Sequence, residues 1–212
     1  MSGSSADPST LTLHAIRLLG FAETQRIAHR YGLDRDQTLE RLLDSEAHGW
    51  VTRSEFAGTA GWSLTERGRA ENERRLAAEL DASGARSAVS GVYQRFLPLN
   101  AGFQDAATRW QVRPLPWDPM AANDHTDFRW DDRVIATLGS IGRKLSPLDA
   151  ELAAAVPRFG GYATRYEAAL ARVTRGEARW VDGLGIDSCH VVWMQLHEDL
   201  LATLGLQRSD EP

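Results

Sequence analysis

Apolar residues recur every three or four positions along most of this 212-residue chain, and the interruptions in that rhythm mark where elements begin and end. Leu11, Leu13, Ile16 and Leu19 predict an amphipathic helix over 11–19. Ile27, Ala28 and Tyr31 predict a second over 23–31, closed by Gly32 in the left-handed position of a helix C-cap with Leu33 packing behind it. Asp34 then stands at an N-cap and Gln37 at the third helical position, a capping box that opens a helix over 35–48. In that helix Thr38, Leu39, Leu42, Leu43 and Ala47 recur at helical spacing and are expected to face the core. Trp50–Phe56, the turn Ala-Gly-Thr-Ala-Gly and Trp62–Leu64 predict a two-stranded hairpin. The helix predicted over 66–81 has only Leu76 and Leu80 as large apolar residues, so it reads as a solvated connector or as an element that pairs with a twin.

Ala82-Ser-Gly-Ala marks the expected domain boundary. Beyond it, Val89, Val92, Tyr93, Phe96 and Leu97 predict a helix that breaks near Pro98 and resumes through Phe103, Ala107 and Trp110. The stretch RPLPWDPMAAND holds three prolines and predicts an irregular loop around Trp117. Helical spacing returns over 131–145. Ser146-Pro147 reads as an N-cap and a first helical position restarting a helix over 147–156. Gly160-Gly161 turns the chain into a helix over 162–173, and 176–185 is a turn segment holding Trp180. The last helix, 187–204, carries the stripe Cys189, Trp193, Leu196, Leu200 and Leu204. The expected fold is mainly α: a Ser-rich tail over 1–9, a winged helix-turn-helix with a β-hairpin wing over 10–81, and an α-helical bundle over 82–212.

The run RIAHRYGLDRDQTLERLLDSEAHGWV, followed by WSLTERGRA with Leu64, Thr65 and Gly68, resembles the MarR-like winged-helix transcriptional regulators. The likeness covers about a third of the chain. It implies a DNA-binding transcriptional regulator acting as a homodimer, with a helical domain that senses a small-molecule effector or a partner. The remainder is more distantly similar to a helical module of PEP-utilising, pyruvate-phosphate-dikinase-like proteins. That likeness implies an alternative, an accessory or regulatory subunit of a metabolic enzyme whose winged helix binds protein instead of DNA. DNA contacts would fall to Arg35, Gln37, Thr38 and Arg41 on the second helix and to Arg53 in the wing.

Charge changes this picture. A DNA-binding domain ordinarily shows a basic footprint, because neutralising phosphates supplies much of its affinity. Residues 10–80 hold ten arginines against eleven acids, and on the helix over 35–48 Arg35 and Arg41 stand against Asp36, Glu40, Asp44 and Glu46. Basic charge throughout comes from 23 arginines and one lysine, Lys144. Cys189 is the only cysteine, which excludes an internal disulfide and a thiolate metal cluster and suggests a reducing, cytoplasmic setting. No apolar run reaches transmembrane length, and MSGSSADPST lacks the basic start and apolar core of a signal peptide, so no membrane association is expected.

Polar residues able to build a site gather in two places: Asn123, Asp124, His125 and Asp127 after the Pro-rich loop, and Asp187, His190, His197 and Glu198 on the last helix. Two readings stand. The histidines are core residues that hydrogen-bond locally, or His125, His190 and His197 with Asn123 and Asp187 converge on a ligand pocket lined by Tyr93, Trp110, Trp130 and Trp193. A small enzyme using that pocket is a third functional reading. The seven-residue spacing of His190 and His197 puts them about 10 Å apart along a helix, too far to share one ion. No metal, no cofactor and no nucleophilic motif is expected. Cys189 and His190 diverge by about 100° as helical neighbours, and no phosphate-binding glycine loop or nucleophile elbow is present.

Overall fold

A computed structural model describes residues 7–56 and 58–210 of the chain. It is mainly helical, 70% helix and 8% strand, with one small three-stranded antiparallel sheet. The chain forms two compact units that do not follow a single cut. The first takes the residues through Arg86 together with Val156–Arg158 and everything from Glu198 on; the second takes Ser87–Ala155 and Phe159–His197. Residues 1–6 of the Ser-rich tail, and Ala57 in the hairpin turn, lie outside the described residues.

The first unit opens with α1 (Pro8–Leu19), which begins within the stretch expected as tail. The Asp7 carboxylate accepts from the Ser9 and Thr10 N–H groups, and Pro8 occupies the first turn, where its missing donor costs nothing. After β1 (Phe21–Ala22) come α2 (Thr24–Arg30) and α3 (Arg35–Ala47). The turn joining them is built as its residues dictate. Gly32 has φ +64°, and the Leu33 N–H reaches the Ala28 carbonyl at 2.9 Å; Asp34 then accepts from the Gln37 N–H at 2.9 Å. Gln37 directs its side-chain oxygen to Arg41 (3.2 Å), so the reciprocal half of the capping box is replaced by a pair one turn along. The buried stripe of α3 is Thr38, Leu42 and Ser45, while Leu43 is 49% exposed and Ala47 is exposed. The expectation that Leu43 and Ala47 face the core is therefore corrected. A stripe running 38–42–45 leaves them on the other flank of the helix.

Strands β2 (Val51–Phe56) and β3 (Thr59–Leu64) pair antiparallel with Arg53 opposite Trp62, and β1 adds to the far side of β3, giving the order β1-β3-β2. Leu13, Ile16, Ile27, Leu42, Val51 and Trp62 form the core beneath this sheet, and the Trp62 indole N–H is satisfied by the Thr24 hydroxyl at 3.1 Å. In α4 (Glu66–Ser83), Thr65 caps the Gly68 N–H, and Gly68, Asn72, Leu76 and Leu80 make one buried stripe. A side chain at Gly68 would put its Cβ 1.8 Å from the Trp50 carbonyl oxygen, so only glycine lets these two backbones approach.

In the second unit, α5 (Arg86–Gln111) and α6 (Phe128–Ala155) both run unbroken through an interior proline, Pro98 and Pro147. The expected break and restart are corrected by packing. A proline inside a helix costs roughly 3 kcal/mol, through the lost hydrogen bond and the clash of its ring with the preceding turn. Phe96 and Phe103 flank Pro98 in the core, Leu145 and Leu148 flank Pro147, and each such burial contributes about 1.5–3 kcal/mol. The loop between the helices folds back through two isolated bridges, Val112 with Ala122 and Leu115 with Asp118, and leaves Trp117 80% exposed. Helix α7 (Tyr162–Val173) is capped from outside its own sequence: Asp149 of α6 accepts from the Tyr162 N–H at 3.0 Å. The last helix, α8 (Cys189–Leu204), is buried on most sides; its residues through His197 belong to this unit. Among the described residues no helix is long and apolar enough to cross a membrane.

Candidate functional site

In the first unit the start of α2, α3 and the hairpin bound an open groove of about 470 Å³. Arg35 and Leu39 come to it from α3, Arg53 and Trp62 from the sheet, and Glu23 from the α2 cap. The Arg53 guanidinium lies 5.8 Å from the centre of the Trp62 ring, and its backbone N–H is near Glu46 at 3.4 Å. Arg35 pairs with neighbouring Asp36 at 2.7 Å in solvent, a contact worth little. Thr38 does not belong to this surface. It is fully buried and donates its hydroxyl to the Asp34 carbonyl at 2.6 Å, which corrects its assignment as a DNA contact. The outward side of α3 carries the exposed acids Asp36, Glu40, Asp44 and Glu46.

In the second unit the predicted ligand residues separate into two groups. Trp193 is fully buried, sandwiched by Phe96 (5.0 Å between centroids) and Phe103 (4.7 Å), and its indole N–H donates to Asn100 at 2.9 Å. His197 packs on Phe96, half-buried His190 stacks on Phe103, and Tyr93 is buried nearby on α5. Asp187 pairs with Arg165 through two bonds of 2.9 and 3.0 Å. Helical periodicity placed His190, Trp193 and His197 on one side of a helix, and what covers that side is a ladder of aromatic rings.

The other group does assemble. Asn123 donates to the Trp110 carbonyl (3.0 Å) and to Asp131 (2.8 Å), and His125 Nδ1 stands 3.0 Å from the second Asp131 oxygen. The imidazole rests on Trp110 with 4.4 Å between centroids. Asn123 Nδ2 also lies 3.2 Å from His125 Nδ1, but its hydrogens are taken by Trp110 and Asp131. With both Asn123 hydrogens spent, Nδ1 is the nitrogen that donates to Asp131, and in the neutral ring Nε2 is then the acceptor. His125 has φ +57°, the one positive value for a non-glycine among the described residues, a conformation that costs about 1 kcal/mol or more and is held by the surrounding bonds. Trp110 and His125 line a shallow depression of about 240 Å³ with Gln111, Ala178, Arg179 and Asp182. The last four, and Asp131, escaped sequence reasoning. Gln111 and Asp182, bonded at 3.1 Å, are 71 positions apart, and no local pattern links them.

Sequence reasoning also missed a buried polar network in the first unit. His14 Nε2 lies 2.9 Å from Asp199 and its Nδ1 3.3 Å from the Asn72 side-chain oxygen. Arg158 bonds Asp199, Thr203 (2.6 Å) and Glu79 (2.6 Å). Burial lowers the His14 pKa despite the neighbouring carboxylate, so the ring is neutral near pH 7. Burial alone would raise the Asp199 carboxyl, but Arg158 and His14 hold it well below the usual carboxylate range. The Cys189 thiol is buried and pushed up to about 12 by desolvation, which makes it inert. No group of three or more His, Cys, Asp or Glu side chains able to hold a metal occurs among the described residues. No family model, no curated protein and no solved structure matches the chain.

Proposed function

We propose that the first unit is a winged helix that binds duplex DNA, with α3 as the helix presented to the groove and the β2–β3 hairpin as the wing, and that the protein is a transcriptional regulator whose helical unit carries its response. The observation that carries this reading is the open groove with Arg35 on its α3 wall and Arg53 on its sheet wall, behind a helix pair fixed by Gly32 and the Asp34 cap. Arg35, Gln37, Arg41 and Arg53 are the contacts it supplies. Titrating a labelled duplex from upstream of the gene at low and moderate salt tests it. Binding weakens with salt, and Arg35→Ala, Arg41→Ala and Arg53→Ala each lower the slope of log affinity against log salt by about one where the lost contact is to phosphate. Titrations identical for wild type and all three variants remove these residues from the interface.

A second reading is favoured by one specific observation, the four exposed acids on α3 beside exposed Leu43. That mixed acidic and apolar surface suits a basic protein partner, with the chain as an accessory subunit. Absence of any salt-dependent duplex binding by the wild type supports it over the first.

A further inference from the structure

The depression beside His125 brings together charges of both signs. Arg179 is exposed and has no ion pair or side-chain hydrogen bond among the described residues. Three residues on, Asp182 spends one carboxylate oxygen on the Gln111 amide and keeps further acceptor capacity. His125 lines the same depression, and its Asp131 bond orients the ring and leaves Nε2 with no protein partner among the described residues. An imidazole fixed by a carboxylate on its other nitrogen is the arrangement proteins use to aim a ring at a ligand. His125 also has φ +57°, an uncommon conformation for a non-glycine residue that the surrounding bonds support.

We propose that this depression binds a free α-amino acid. A simple anion would face Asp182, and Asp131 behind His125. A simple cation would face Arg179. A zwitterion satisfies both, its carboxylate on the Arg179 fork and its ammonium on Asp182, with His125 Nε2 accepting a further ammonium hydrogen. Size agrees. About 240 Å³ is below the roughly 300–1,000 Å³ of pockets that take drug-sized ligands, so the depression suits a small ligand such as a single amino acid. Trp110, Gln111 and Ala178 add one aromatic edge, one amide and one methyl, so the site reads the shared head group more than the side chain. The inference is independent of DNA binding.

Calorimetric titration of the full chain with the common L-amino acids, followed by the deaminated acid and the decarboxylated amine of each binder, tests this directly without DNA. At least one small amino acid binds, and both analogues bind on the order of tenfold or more weakly. Arg179→Gln and Asp182→Asn each weaken the amino acid to a similar degree. Arg179→Gln removes an exposed side chain without protein partners, and Asp182→Asn keeps an oxygen for Gln111, so both variants stay folded. Glu177→Gln, which changes a nearby charge held by Arg172 outside the depression, leaves affinity unchanged. The proposal is overturned if no amino acid binds, if an analogue with one charge binds as well as the zwitterion, or if both variants titrate like the wild type.

Discussion

Among the described residues, two histidine–aspartate pairs of almost equal length, His14–Asp199 at 2.9 Å and His125–Asp131 at 3.0 Å, stand in opposite settings. Both side chains of the first are fully buried, within reach of a guanidinium, an amide and a hydroxyl. In the second the imidazole is 40% exposed, one nitrogen is unspent, and the backbone beneath it is strained. What differs is access. Where water is excluded, the pair ties α1 to Asp199 and acts as a fastener, since breaking it leaves a buried charge. Where water reaches the ring, the same two groups hold an imidazole ready for a ligand.

The largest test of that contrast compares the carboxylates. Asp199→Asn leaves Arg158 without its principal counter-charge and is expected to cost roughly 3–5 kcal/mol in urea denaturation, whereas Asp131→Asn should cost less than about 1.5 kcal/mol. Equal losses would erase the distinction between fastener and site. Next in size, Trp193→Phe should destabilise the helical unit by about 2 kcal/mol, through the space left between Phe96 and Phe103 and the unanswered Asn100 oxygen. A negligible change would mean that the aromatic ladder contributes little and that the His125 cluster matters more to folding than its exposure suggests.

A third test uses pH. The folded-state pKa of His14 is lowered from 6.5, so below about pH 6.5 the unfolded chain binds the extra proton. Stability is full above that pH and declines as pH falls, by at most about 1.4 kcal/mol per pH unit. Asp199 is lowered too, and its contribution is lost only as pH falls through the carboxylate range near 4, so pH 5–6.5 separates the histidine from that carboxylate. In His14→Gln the decline across that window should flatten; a persistent slope would assign it to other groups. The smallest effect is His125→Asn. Relief at positive φ, a few tenths of a kcal/mol, offsets part of the lost Asp131 bond, so stability should change by less than about 1 kcal/mol while amino-acid affinity falls.

Elements with local signals were legible from residues alone. The α2–α3 turn follows from Gly32 and Asp34, and the hairpin from strand-forming residues around a glycine-containing turn, because caps and turns are encoded within a few positions. Three kinds of feature were not. Strand β1 is two residues long and exists only through pairing with β3, 40 positions on. Pro98 and Pro147 carry breaking signals that the packing of α5 and α6 overrides. The His14–Asp199–Arg158 network joins residues separated by 41 to 185 positions, with no periodicity to announce it. The candidate site was half legible. Asn123 and His125 stood out as a polar cluster after an irregular loop, but the partner expected for them, the histidine side of α8, is aromatic core, and Arg179 and Asp182 sit in a turn that looked featureless.

The arginine-heavy composition has a chemical corollary. Lys144 is the one lysine of the chain, exposed within α6, and the one thiol is buried and unreactive at neutral pH. Apart from the α-amino group, an amine-reactive dye therefore has a single side-chain address, on a helix of the second unit, with no cysteine competing for it. A fluorophore attached there needs no engineered residue and reports from the unit to which the amino-acid site is assigned.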